Sequence, residues 1–185
     1  MVTIKLKGRE IPLVYTTWEM KQLQEEIAPM ADAISLLIGR DDKGTAGNYG
    51  GAKQLEALGK AIRILGNAGL EEAGETPDLT DKWILRALKP QNLTEAVNAV
   101  MNAFTEGMAS EIPEKVKDGP VDVTLEEMNK KKRSGSVTYL QVVSWGLIAG
   151  LALPEINRMK PGQVMDLFLY RRKYDDVMHW IQREE

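Results

Sequence analysis

The only histidine in the chain, His179, stands four residues after Asp175. On a helix these two share a face and would place two metal ligands side by side. Two ligands do not complete a site, and a capping or surface role is the more ordinary one for a lone histidine. Acidic pairs occur at Asp41-Asp42, Glu71-Glu72, Glu126-Glu127 and Asp175-Asp176. Neighbouring helical residues point about 100° apart, so such pairs read as solvated faces and not as carboxylate dyads. The glycine-rich stretch Gly44 to Gly51 contains neither a GxxxxGK[ST] nor a GxGxxG phosphate cradle. Ser144 lies in VSWGL, without the GxSxG elbow, and has no histidine near it in sequence. The chain has no cysteine, which excludes disulfides, thiolate metal sites and thiol nucleophiles.

Two basic clusters, Lys130 to Arg133 and Arg171-Arg172-Lys173, lack interleaved aromatics, and the second sits among Asp166, Asp175 and Asp176. With a net charge of −3, broad nucleic-acid binding has no electrostatic basis. The expected inventory is therefore no catalytic residue, no cofactor, no metal ligand and no nucleic-acid partner. A non-enzymatic protein is expected.

The elements that would hold such residues are mostly helical. Val2, Ile4 and Leu6 alternate with polar residues; Gly8-Arg9-Glu10 interrupts, and Ile11, Leu13 and Tyr15 resume the alternation. This predicts a β-hairpin with Pro12 towards an edge and an apolar face that must pack on helices or pair with another chain. Thr16 and Glu19 form a capping box opening a helix from Thr17 to about Ala28, and Pro29 marks a kink or a fresh start. Apolar residues continue at helical spacing to Gly39. A polar glycine loop, Arg40 to Gly51, precedes a helix carrying Leu55, Leu58, Ile62 and Leu65, expected to end near Gly66 to Gly69. A further helix carries Trp83, Ile84, Ala87 and Leu88 and stops at Pro90. Asn92, with Glu95, is expected to cap the next helix, which runs through Phe104 to Met108.

The stretch EIPEKVKDGPVDV from Glu111 to Val123 reads as a charged linker or extended arm. A second capping box, Thr124 with Glu127, leads through the lysines to a Ser134-Gly135-Ser136 hinge. Beyond it, the run from Val142 to Leu153 is too short to span a membrane and reads as a buried helix and its turn. Pro161 fits the first position of a final helix bearing Val164, Leu167 and Phe168. Trp83, Trp145 and Trp180 read first as core residues, although four tryptophans and nine methionines also supply adaptable apolar surface.

The expected fold is mainly α with a small N-terminal β-hairpin (α+β), a helical bundle plus a C-terminal helical module. Its expected units are 1–111, a linker and hinge at 112–136, and 137–185. With 43% hydrophobic and 28% charged residues, an alternating N-terminus unlike a signal peptide, and no run of roughly 18 apolar residues, a cytoplasmic, membrane-free protein is expected.

Two stretches carry a family resemblance: IKLKGREIPLVYTTWEMKQLQEEIAPM, and TYLQVVSWGLIAGLALPEINRMKPGQVMDLFLYRRKYDD. They resemble tail assembly chaperones of long-tailed bacteriophages and prophages of Gram-positive bacteria. The resemblance implies a host-cytoplasmic protein that binds the tape measure protein, recruits tail tube subunits and is absent from the finished virion. It also implies that a long form can arise by ribosomal frameshifting. Lys130-Lys131-Lys132 can be encoded by an adenine run, so the residues after it are either a shifted-frame extension or the continuation past a basic helix end. An open hairpin edge makes homo-oligomers an additional expectation. The partner-binding candidates are Trp145, Leu147, Leu167, Phe168 and Tyr170. A head–tail completion or tail terminator protein of the virion is the competing reading.

Overall fold

The computed structural model describes residues 1–40, 51–110 and 137–184, with side chains through Arg172. Three features of the sequence analysis therefore lie outside the described residues. They are the glycine loop 41–50, the linker and hinge within 111–136 with its lysine run, and the His179, Asp175, Trp180 and Lys173 side chains.

The chain is mainly helical with a two-stranded antiparallel hairpin, β1 (Val2–Leu6) and β2 (Arg9–Leu13). Leu6 pairs with Arg9, so the turn is Lys7-Gly8 and starts one residue earlier than the Gly8-Arg9-Glu10 interruption read from the sequence. Both turn residues have positive φ, 50° and 82°, the conformation that fits a two-residue turn to the twist of its strands. Alternation does the rest. Ile4, Leu6, Ile11 and Leu13 are all buried against the helices.

Helix α1 (Thr17–Glu26) begins at the expected capping box. The Thr16 N–H donates to Glu19 Oε2 at 3.0 Å, and the Thr16 hydroxyl also donates to that carboxylate. Pro29 stands at the N-cap position of α2 (Met30–Leu37), so of the two readings it opens a fresh helix and does not kink one.

Helix α3 (Ala52–Glu72) corrects the sequence reading. It runs straight through Gly66 and Gly69 and ends past them, where Gly74 takes φ 76°. Those glycines are close-approach points. A Cβ on Gly69 would lie 2.2 Å from the Pro12 carbonyl oxygen, and one on Gly66 would lie 2.6 Å from Leu79 Cδ1. The hairpin therefore lies directly on the α3 backbone, and Val14 N–H donates to Leu65 O at 3.1 Å.

Helix α4 (Asp81–Ala87) is capped by Thr80, whose hydroxyl accepts from Trp83 N–H. Asn92 stands at the N-cap position of α5 (Leu93–Gly107), as expected, but its side chain makes no capping bond there. Its amide instead closes the short 3₁₀ turn Pro90–Asn92, accepting from Lys89 N–H at 2.7 Å and donating to Ala87 O at 3.2 Å. The remaining elements are α6 (Tyr139–Ile148), α7 (Leu153–Arg158) and α8 (Pro161–Glu184). Val137, Val142, Ile156 and Val164 share one apolar core with the hairpin and α1 to α5. Among the described residues, no helix is long and apolar enough to cross a membrane.

Candidate partner-binding surface

Helix α6 carries no charged residue. It starts at a capping box in which Thr138 N–H donates to Gln141 Oε1 at 2.9 Å and Gln141 N–H donates to the Thr138 hydroxyl at 3.3 Å. Its inner face is Val142 and Gly146. A Cβ on Gly146 would stand 2.5 Å from Ile156 Cγ1 and 3.1 Å from Val164 Cγ1, so α7 and α8 press on the α6 backbone.

The outer face is apolar too. Leu140, Leu147 and Ile148 are 73%, 55% and 60% exposed. Positions i, i+7 and i+8 lie on one side of a helix. Ser144, between them, turns its hydroxyl back to Leu140 O at 2.8 Å, which leaves the side chain with its donor satisfied. The expectation of a buried helix over Val142 to Leu153 is thus half right: one face is core and the opposite one meets solvent.

The five candidate residues separate into two groups. Leu147, Leu167 and Tyr170 are exposed, the last two three residues apart on α8. Trp145 and Phe168 are half-buried and stack on each other, ring centroids 6.1 Å apart and planes at 29°. They pack with Met165 and Leu169, closing the α6–α8 junction. The structure thus assigns these two rings to packing and adds Leu140, Ile148 and Leu153 to the exposed apolar set. A signal for Leu140 and Ile148 was present: a helix apolar on nearly every side, like α6, cannot bury all of its side chains against its neighbours.

The surface is held from below by polar ties to the N-terminal helices. Thr16 Oγ1 lies 2.9 Å from Asn157 O, and Thr17 N–H and hydroxyl both donate to Met159 O at 2.9 Å. Tyr139 N–H donates to Gln24 Oε1 at 3.2 Å, while its phenol ties α6 to α7 by donating to Asn157 Oδ1 at 3.1 Å. Lys160 Nζ meets Glu106 Oε1 at 2.7 Å. That hydrogen-bonded ammonium, helped by the N-terminal amine, holds the Glu106 carboxyl below its ordinary range.

Compared with family models, curated proteins and solved structures, the chain matches none. The surface itself must carry any functional reading. Among the described residues no group of three or more potential ligands could hold a metal ion. What the geometry offers is a rigidly mounted helix with a row of branched apolar side chains facing water. Such a row favours a second apolar helix laid against it, because burial of each side chain is worth about 1.5–3 kcal/mol before the entropic cost of association.

Proposed function

We propose that this chain is a tail assembly chaperone of a long-tailed phage or prophage. It shields apolar helices of the tape measure protein, recruits tail tube subunits and leaves before the particle matures. No bond is made or broken. The observation that carries this reading is the outward row of Leu140, Leu147 and Ile148 on a helix whose other face is core. The resemblance of the two sequence stretches supplies the partner's identity. A long helical tape measure protein has more apolar surface than water tolerates until the tube encloses it. A preformed apolar helix face covers such segments at low ordering cost, since its own side chains are already set by a fixed backbone.

The test is co-expression with the large helical tail protein, followed by affinity capture. The wild-type chain should keep that protein in solution and be captured with it. The triple substitution Leu140→Asp, Leu147→Asp, Ile148→Asp should release it while circular dichroism stays unchanged. Undiminished capture by the triple variant sinks the assignment. Finding the chain in purified virions by mass spectrometry would instead favour a head–tail completion or tail terminator protein.

A further inference from the structure

Thr16 stands between two acceptors on different parts of the chain. Its Oγ1 meets Glu19 Oε2 within the capping box and lies 2.9 Å from the Asn157 carbonyl oxygen on α7. Trp18 N–H donates to the same hydroxyl at 3.2 Å, and Thr16 N–H donates to Glu19 Oε2 at 3.0 Å. A hydroxyl carries one hydrogen and two lone pairs, whereas a carbonyl and an ionised carboxylate carry no hydrogen. With Glu19 ionised, the single hydroxyl hydrogen cannot fill both oxygen–oxygen gaps, so lone pairs face each other across one of them. A proton on Glu19 completes the set. The carboxyl then donates to Thr16 Oγ1, and the freed hydroxyl hydrogen goes to Asn157 O. Thr16 Oγ1 accepts twice and donates once, which is its whole capacity.

The surroundings favour that proton. Glu19 is 7% exposed. Burial holds its carboxyl above the ordinary range, the bonds from Thr16 act the other way, and Glu71 on α3 adds to the rise. The neighbouring Tyr15 phenol, itself pushed up by burial and by Glu19, stays neutral. No cation is among the groups acting on Glu19. On α3, Lys60 pairs with Glu56, and Arg63 with Glu26 and Asp81. Asp32 on α2 and Glu155 and Arg158 on α7 are exposed, α6 has no charged residue, and Lys160 is held by Glu106.

We propose that Thr16 and Glu19 form a proton-operated latch between α1 and α7: protonated Glu19 turns the Thr16 hydroxyl onto Asn157 O and seats the C-terminal helices, and loss of that proton as pH rises undoes the contact. Thr17 keeps its bonds to Met159, so the corner loosens without leaving α1. The claim stands apart from the chaperone reading, because the latch needs no client.

The experiment uses the full chain labelled with ¹³C and ¹⁵N. NMR follows the Glu19 carboxyl carbon and the Asn157 carbonyl carbon, the latter through the Arg158 N–H, from acid to mildly alkaline pH. Both should move with one midpoint, above the ordinary glutamate range. Glu19→Gln, whose amide N–H donates to Thr16 at every pH, should abolish the Asn157 shift. In Thr16→Val, Glu19 should still titrate while the Asn157 carbonyl no longer follows. A wild-type Asn157 signal that stays still through the Glu19 midpoint overturns the proposal. So does an Asn157 shift that persists undiminished in Thr16→Val, as a bare charge effect would give. If a variant fails to fold, the wild-type titration alone still decides.

Discussion

The carbonyl of Met159 accepts two hydrogen bonds from Thr17, one from its N–H and one from its hydroxyl, both at 2.9 Å. The first N–H groups of a helix have no partner within it. Here one of them is satisfied by a residue 142 positions later. The start of α1 is therefore completed by the chain between α7 and α8, and Thr17 is wholly buried there.

Thr17→Val keeps the shape and the N–H bond but removes the hydroxyl. Urea unfolding should show a loss of about 1 kcal/mol, and Thr17→Ser should recover most of it. An unchanged midpoint for Thr17→Val would mean that the hydroxyl contributes nothing at this joint.

Glycine substitutions should divide by what the new methyl meets. Gly69→Ala and Gly162→Ala drive a Cβ onto backbone, to 2.2 Å from Pro12 O and 1.9 Å from Ala109 O. Each should cost about 1–3 kcal/mol or more by denaturant titration. Gly59→Ala lies in the same helix as Gly69, but its Cβ would meet only the Leu85 side chain, Cδ2 at 3.2 Å and Cγ at 3.4 Å. Leu85 is exposed and can turn aside, so the gain in helix propensity should leave this variant neutral or stabilised.

The pH dependence of stability should show two opposed carboxyls. Burial raises Glu19 above its ordinary value, against the hydrogen bonds from Thr16 that lower it. A raised folded-state pKa gives a contribution that is complete below the unfolded pKa and declines as pH rises through the folded one. Glu19→Gln retains the capping geometry without the charge, so it should remove that decline and stabilise the protein at neutral pH. Glu106 is depressed, chiefly by its hydrogen bond to Lys160. Its contribution is present above the unfolded pKa and fades as pH falls through the folded one, so Glu106→Gln should flatten the acid limb. Thermal melts from acid to neutral pH check both signs.

Charge on the two faces of α6 should have opposite consequences. Leu140→Asp and Ile148→Asp stay in water and should change stability by no more than about 0.5 kcal/mol. Val142→Asp buries an unpaired carboxylate and should cost more than about 4 kcal/mol or prevent folding. Equal behaviour of the two faces by circular dichroism and urea titration would contradict the assignment of inner and outer sides.

Local chemistry was legible in the sequence wherever one pattern has one physical meaning. Alternation gave the hairpin its buried face, the Thr16–Glu19 pair marked the start of α1, and Pro29 and Pro161 marked helix starts. Glycine was ambiguous. At Gly66 and Gly69 it looked like a helix end, because a missing side chain serves termination and close backbone approach equally, and only the hairpin's position decides. Asn92 holds the cap position it was read for, but its amide bonds within the 3₁₀ turn and not to the helix it opens. The candidate surface was half legible for a similar reason. Leu147, Leu167 and Tyr170 face water, while Trp145 and Phe168 pack on each other, and composition alone does not separate such neighbours.

Truncation gives the shared core a practical meaning. A product ending before residue 137 would strip Thr17 of both its bonds to Met159 and remove Lys160 from Glu106. It would also uncover the apolar side of the hairpin-and-helix body that Val137, Val142 and Ile156 now cover. Two lengths of this polypeptide would then differ in adhesiveness, the shorter being the stickier. Where synthesis stops would set how much bare surface each copy offers.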